Sequence, residues 1–222
     1  MDTSKFYEFF QPEKCKDKIH IIGCGAVGST IAELLVRMGL TNFVLYDFDF
    51  VMPHNIANQM FRAVDITKSK VDALEEILKE INPEVKIEKI ERYEGQKLNG
   101  YVFMAVDKIS IRRQIIEDNM TNPFIKAVFD TRISLLDAQG YAARWNNYNE
   151  KKNLLNSMNF TDEEAEANTP VSACNIALSV APTVRLICNY VVVNFINLLQ
   201  KRDNFKTILL LQNTFDMCFE SF

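Results

Sequence analysis

The chain of 222 residues is 48% hydrophobic, contains 16 Phe and carries a formal net charge of −4. That length and apolar content suit one large domain with a sizeable core, and the acidic balance offers no basic patch or stripe for nucleic acid. Residues 1–5 lack the charged-then-apolar order of a secretory signal. The apolar stretch 180–199 is interrupted by Pro182, Arg185, Asn189, Asn194 and Asn197, so it is expected to be a core helix; a membrane span needs about 20 mainly apolar residues.

Residues 1–17 are polar around a cluster of Phe6, Tyr7, Phe9 and Phe10, which suits a short helix packing on a neighbouring element or a second copy of the chain. Residues 18–22 are expected to form a strand. It runs into Gly23-Cys24-Gly25-Ala26-Val27-Gly28, a Gly-x-Gly-x-x-Gly turn. Residues 27–38 carry Ile31, Leu34, Leu35 and Met38 at helical spacing, with Gly39 placed as a C-cap. A second strand, 43–47, ends in Asp47. Strand, glycine turn, helix and acid together form a dinucleotide-binding fingerprint. Gly23 suits the tight turn, Gly25 lets a phosphate approach the backbone, and Gly28 lets the helix pack against the strand. The helix start offers unpaired N–H groups to the phosphate, and Asp47 stands where a carboxylate holds ribose hydroxyls. The bland alternative is a strand-to-helix turn that binds nothing.

A short helix is expected over 53–62, with Pro53 near its first turn. A long helix follows over 68–81, ended by Asn82-Pro83. Residues 85–90 alternate apolar and charged, as a half-exposed strand does. Strands are expected at 101–106 and 124–129, with a helix over 109–119 between them. Strands alternating with helices imply a doubly wound, mostly parallel α/β sheet of Rossmann type. After Asp130 antiparallel strands are expected at 133–136 and 138–145. The acidic stretch 160–168 is expected to be a mobile loop, or simply a solvated face. A long helix over 175–200 and a terminal hairpin of 206–212 with 215–219 complete the chain.

The segment after Asp47 carries a second acid, Asp49, then Val51, Asn55, Asn58, Gln59 and Arg62, and Lys70 at a helix start. In this it resembles the ThiF/MoeB family, enzymes that adenylate ubiquitin-like proteins and sulfur carriers. The family pattern is Asp-x-Asp-x-Val, then Asn-x-x-Arg-Gln, then a helix-opening Lys. Asp47, Asp49, Val51, Asn55, Gln59 and Lys70 match it, while Asn58 stands where the family has an Arg that helps bind ATP phosphates. Arg62 would replace that Arg if 58–62 were helical, since i and i+4 share a face.

The resemblance continues over about residues 18–200. It implies that Asp107, at the end of a strand, lies beside the phosphates and holds Mg2+, and that Arg112 recurs at the family spacing. It also implies that Cys174 lies on a crossover loop, where it can attack the adenylate. Each residue has a plainer role: Asp107 as the N-cap of the next helix, Lys70 as a solvated helix lysine, Arg112 as a surface arginine, Asn55 and Gln59 as turn bridges, Cys174 as filler. His20 and His54 are taken as structural.

Cysteines fall at Cys15, Cys24, Cys174, Cys188 and Cys218. An odd count without Cys-x-x-Cys suggests reduced thiols in a cytoplasmic protein and excludes the four-cysteine zinc site that many relatives build. The expected organisation is a single adenylation domain over 1–222: an N-terminal segment 1–17, a nucleotide-binding half 18–130, and a carrier-binding or dimer half 131–222 with a crossover at about 155–174. The expected activity is ATP- and Mg2+-dependent adenylation of the C-terminal carboxylate of a small ubiquitin-like or sulfur-carrier protein, with thioester formation at Cys174 as a further step. A homodimer with no nucleic-acid or membrane partner is expected. The alternatives are a non-catalytic subunit of an activating complex and an NAD(P)- or FAD-dependent oxidoreductase.

Overall fold

The computed structural model describes residues 1–174 and 176–216. Seven strands form one sheet: β1 (Ile19–Ile22), β2 (Asn42–Tyr46), β3 (Lys86–Ile90), β4 (Gly100–Met104), β5 (Ile125–Ile133), β6 (Ala138–Arg144) and β7 (Ile208–Leu211). Their order is β3-β2-β1-β4-β5-β6-β7. The first five are mutually parallel, and β6 and β7 add antiparallel to that edge. This is the doubly wound α/β sheet that the alternation of elements implies. The order reverses beside β1, which makes the carboxyl ends of β1 and β4 the switch point at which such folds bind ligands.

The α-helices among the described residues are α1 (Ala26–Arg37), α2 (Lys70–Ile81), α3 (Ile109–Asn119), α4 (Tyr148–Asn156), α5 (Asp162–Ala167) and α6 (Ala181–Leu199). One apolar layer gathers Ile31, Leu35, Leu74, Ile187, Val191 and Phe195 against one face of the sheet. The other gathers Ile115, Ile116, Leu154 and Trp145 on the opposite face. Period-two alternation in β1 divides it between them, with Ile21 in the first layer and Ile22 in the second. Phe195 of α6 meets Tyr101, Phe103 and Phe129 edge-on at 4.9, 5.3 and 5.6 Å, the geometry that aromatic quadrupoles favour. α6 is long and apolar enough to cross a bilayer by composition, but half of it is buried inside the fold.

Several elements differ from expectation. Residues 133–136 are not a separate strand: β5 runs on through Ile133 and turns at Ser134, whose N–H donates to the Asp137 carbonyl at 2.8 Å. Residues 53–62 form no continuous helix: a 3-10 turn covers Pro53–Ala57, and a second, Ala63–Asp65, lies just beyond. The acidic stretch is helical from Asp162, because Thr161 and Glu164 form a capping box. The first turn of α6 contains Pro182, so the helix starts at Ala181 and not at 175. α4 follows from Asn147, whose side chain accepts from the N–H groups of Asn149 and Glu150. β7 pairs antiparallel with β6; of the expected hairpin partner 215–219, Phe215 and Asp216 lie in a turn and residues 217–219 fall outside the described residues. At the N-terminus, turns and a 3-10 helix (Pro12–Lys14) stand where a short helix was expected, with Phe10 buried and Phe9 exposed.

Candidate functional site: a glycine turn under a pinned crossover

Gly23 ends β1 at φ +96°, and a Cβ there would stand 2.7 Å from the Ala105 carbonyl after β4. Only glycine tolerates both the positive φ and that approach. A Cβ on Gly28 would stand 1.8 Å from the Gly23 carbonyl oxygen, so α1 lies directly against the turn. Gly25, the N-cap of α1, has nothing within 4 Å of its missing Cβ. The turn is therefore closed on its sheet side and open over the first N–H groups of α1, where helix dipole and free donors favour an anion.

Asp47 follows β2. One of its oxygens accepts from the Cys24 N–H at 2.7 Å and the other from the Asp49 N–H at 2.9 Å. Its carboxylate thus braces the glycine turn, which its place in the motif did not reveal, and each oxygen keeps a lone pair for a ribose hydroxyl. Burial raises its pKa from the ordinary aspartate value, with the Lys70 charge opposing. The loop from Asp47 to Lys70 is tied back on itself: Val51 N–H donates to Lys68, Thr67 N–H to Val51 and Lys70 N–H to Asp49, each at 2.9 Å. Those ties bring the Lys70 ammonium, 9% exposed, to 2.7 Å from the Asp49 carboxylate. Lys70 is a buried lysine at a helix start, not a solvated one.

Asn55 is buried, and its Oδ1 accepts from the Met52 N–H at 2.8 Å, closing the 3-10 turn. The Asn58 amide donates to the Ser179 hydroxyl. Gln59 has its Oε1 buried with no hydrogen-bond partner among the described residues. Arg62 is committed elsewhere: it pairs with Asp65 at 2.9 Å and Glu80 at 2.6 Å. Because 58–62 is not helical, Arg62 does not share a face with Asn58, and its expected stand-in role for the missing Arg has no geometric basis.

Asp107 lies just past β4, exposed, with no hydrogen bond from its side chain among the described residues. It does not cap α3. That task falls to Asp162, which accepts from the Ser110 N–H at 3.2 Å and the Ser110 hydroxyl at 2.6 Å. Arg112 is 5% exposed and donates to the carbonyls of Val106 at 2.7 Å and Thr131 at 3.0 Å while pairing with fully buried Asp130. It is a brace under Asp107 rather than a surface arginine. Arg132 binds the other Asp130 oxygen at 2.7 Å and the Ser157 carbonyl at 2.8 Å, carrying the brace into the start of the crossover.

The crossover is pinned at both ends to this site. Asp162 and Glu166 hold Ser110 and Lys108, the latter at 2.8 Å, and Ser179 holds Asn58. Cys174 lies exposed between these anchors, in a turn closed by the Val171–Ala177 bridge. It stands seven residues before Ala181, outside the first turn of α6. Cys24 and Cys188 are buried, and burial drives both thiol pKa values up, as inert core cysteines require.

The ThiF family model matches residues 8–222. The chain belongs to the ThiF family. Among relatives of this family member, ubiquitin-like modifier-activating enzyme 5 of Arabidopsis thaliana is 41% identical over 70 residues, covering 32% of this chain and 16% of that protein. The Xenopus laevis enzyme of the same name is 35% identical over 92 residues, 41% of this chain and 23% of its own. The matches thus span less than a quarter of these relatives' length. Among solved structures, PaaA is 19% identical with a TM-score of 0.68, covering 91% of this chain and 63% of its own. E. coli MccB with ATP is 17% identical with a TM-score of 0.63, covering 91% and 65%. E. coli tRNA N6-threonylcarbamoyladenosine dehydratase, TcdA, is 14% identical with a TM-score of 0.62, covering 89% and 93%. At these identities the structural likeness establishes the fold.

Proposed function

We propose that this chain is an adenylyltransferase that uses ATP to activate a C-terminal carboxylate, on a small ubiquitin-like protein, a sulfur carrier or a peptide. The observation that carries this is the convergence of the open Gly25 cradle, the Lys70–Asp49 pair and the free Asp107 carboxylate at the ends of three adjacent strands. A hydride-transfer site has no use for a buried ammonium and a second free acid there. The family membership points the same way, as do the relatives named for activating ubiquitin-like modifiers and the neighbour solved with ATP.

In this scheme the α1 N-terminus and Gly25 hold the phosphates, Asp47 the ribose, and Lys70 meets charge that develops on the phosphates. Gln59 Oε1 offers a buried acceptor without a partner. An exposed, unpaired carboxylate beside an anion cradle suits Mg2+, which would sit on Asp107 and neutralise phosphate charge. The partner carboxylate oxygen forms a bond to the α-phosphorus as the bond to the bridging oxygen breaks, giving an acyl-adenylate and pyrophosphate. Fixed charges aimed at that transition state are often worth factors of about 10²–10³ each. The pinned crossover supports a second step in which the Cys174 thiolate attacks the acyl carbon and AMP leaves.

The non-catalytic alternative draws support from Asn58 and from the commitment of Arg62 to Asp65 and Glu80. ATP–pyrophosphate exchange with candidate carriers decides between them: exchange in the wild type, lost in Lys70→Ala and in Asp107→Ala at unchanged Tm, supports adenylation, and normal exchange in both variants places the site elsewhere. We also infer a homodimer, from the exposed Tyr190 and Val193 on α6 and Ile208 and Leu210 on the β7 edge. A monomer in sedimentation at micromolar concentration would overturn that.

A further inference from the structure

The candidate cleft is short of positive charge. Asp47, Asp49 and Asp107 are three acids there, and Lys70 is already paired with one of them. A nucleoside triphosphate adds several negative charges, more than Lys70 and the Mg2+ that Asp107 would hold offset, so a further cation would favour binding. Most guanidinium groups nearby are committed: Arg62 to Asp65 and Glu80, Arg112 and Arg132 to Asp130. Arg92 stacks on the exposed ring of Phe48 at 4.0 Å.

Arg185 is different. It projects from the second turn of α6, half-buried, and has no carboxylate partner among the described residues. Its Nη1 donates to the Thr30 hydroxyl at 3.1 Å and rests against the Met60 sulfur. A thioether is a weak acceptor, so the charge is poorly compensated where it lies. The position is tied to the cradle. Thr30 Oγ1 donates at 2.7 Å to the carbonyl of Ala26, the first residue of α1. Met60 N–H donates to Ser29 at 3.2 Å and follows Gln59 directly. Thr30 stands four positions after Ala26 in the helix, about 6 Å along the axis, a span that an arginine side chain covers by changing rotamer.

We propose that Arg185 binds the polyphosphate of the nucleotide, leaving Thr30 and Met60 to do so and supplying the guanidinium that neither Asn58 nor Arg62 offers. This rests on the adenylation site proposed above. The planar fork of Arg fits two phosphate oxygens at once, where a lysine offers a point charge.

The test is a calorimetric comparison of adenosine, AMP, ADP and ATP on the wild type, Arg185→Met and Arg185→Lys, with the Tm of each apo protein as control. Arg185→Met should weaken ATP about tenfold or more, as loss of a charge-assisted hydrogen bond does, and leave adenosine unchanged; Arg185→Lys should fall between. If Arg185→Met lowers the apo Tm, Arg185→Gln, which keeps a donor for Thr30, carries the same comparison. ATP bound as tightly by the uncharged variant as by the wild type overturns the proposal, and so does an equal loss of adenosine and ATP. A wild type that binds adenosine and ATP alike also overturns it, and one that binds no ATP defeats the underlying nucleotide site itself, a different result from either.

Discussion

Replacing each of two glycines in one turn by alanine should separate stability from binding. The Cβ of Gly28→Ala would lie 1.8 Å from the Gly23 carbonyl oxygen. Ordinary contact then requires α1 to retreat from the end of β1 by about 1.5 Å, in an interior packed too densely to absorb it. Ile31, Leu35 and Val36 of that helix are at most 1% exposed, so the retreat loosens the core as well. Overpacking typically costs about 1–3 kcal/mol, and backbone against backbone places this variant at the upper end or beyond. Gly25→Ala meets nothing within 4 Å, and its φ of −74° lies outside the left-handed region. Its stability cost should be about 1 kcal/mol or less, from a poorer N-cap. Its methyl group would nevertheless fill the space where a phosphate approaches the first N–H groups of α1. Urea denaturation with parallel ATP titration should find Gly28→Ala strongly destabilised, and Gly25→Ala near wild type in stability but deficient in ATP binding. Equal stabilities would refute the close approach of α1, and normal ATP affinity in Gly25→Ala would remove the phosphate from the cradle.

Arg112→Met should cost about 3–5 kcal/mol in urea denaturation, because it strips one partner from the fully buried Asp130; a loss under 1 kcal/mol would contradict its role as a brace. Burial lowers the His20 pKa from 6.5 to about 4. Between those values the unfolded chain binds the proton and the folded chain does not, so stability should fall as pH drops from about 6.5 to 4, by roughly 3 kcal/mol. His20→Gln should flatten that part of the profile in thermal melts, and an unchanged slope would show that His20 does not set it. Cys174→Ala should keep ATP–pyrophosphate exchange and lose any carrier adduct sensitive to reducing agent. If the adduct persists, the acyl group is held elsewhere.

The parallel half of the fold was legible because local signals and long-range packing agree there. Ile19–Ile22, the glycine turn and the α1 stripe each state their own structure, and α3 falls on its expected residues. The C-terminal half was harder. β5 continues through Asp130, Thr131, Arg132 and Ile133 because Arg112 and Arg132 neutralise Asp130 within the fold, and no local pattern announces a buried triad. α5 reads as an acidic loop until Thr161 and Glu164 are seen to cap it and Ser110 to anchor it. Site residues followed the same division. Asp47 and Lys70 stand out as candidates by their spacing after the glycine turn, whereas the contact of Arg185 with Thr30 and Met60 depends on α6 crossing α1, between residues far apart in the chain.

Pyrophosphate release tests the central claim most directly. The purified chain, ATP and Mg2+ are incubated with a carrier that ends in a free carboxylate, and in parallel with the same carrier ending in an amide. Attack on the α-phosphorus predicts pyrophosphate and an acyl-adenylate, which yields AMP once its acyl group is transferred or hydrolysed, with the free carboxylate only, lost in Lys70→Ala. Orthophosphate and ADP as the products, or equal turnover of the amidated carrier, would contradict adenylation of a C-terminal carboxylate.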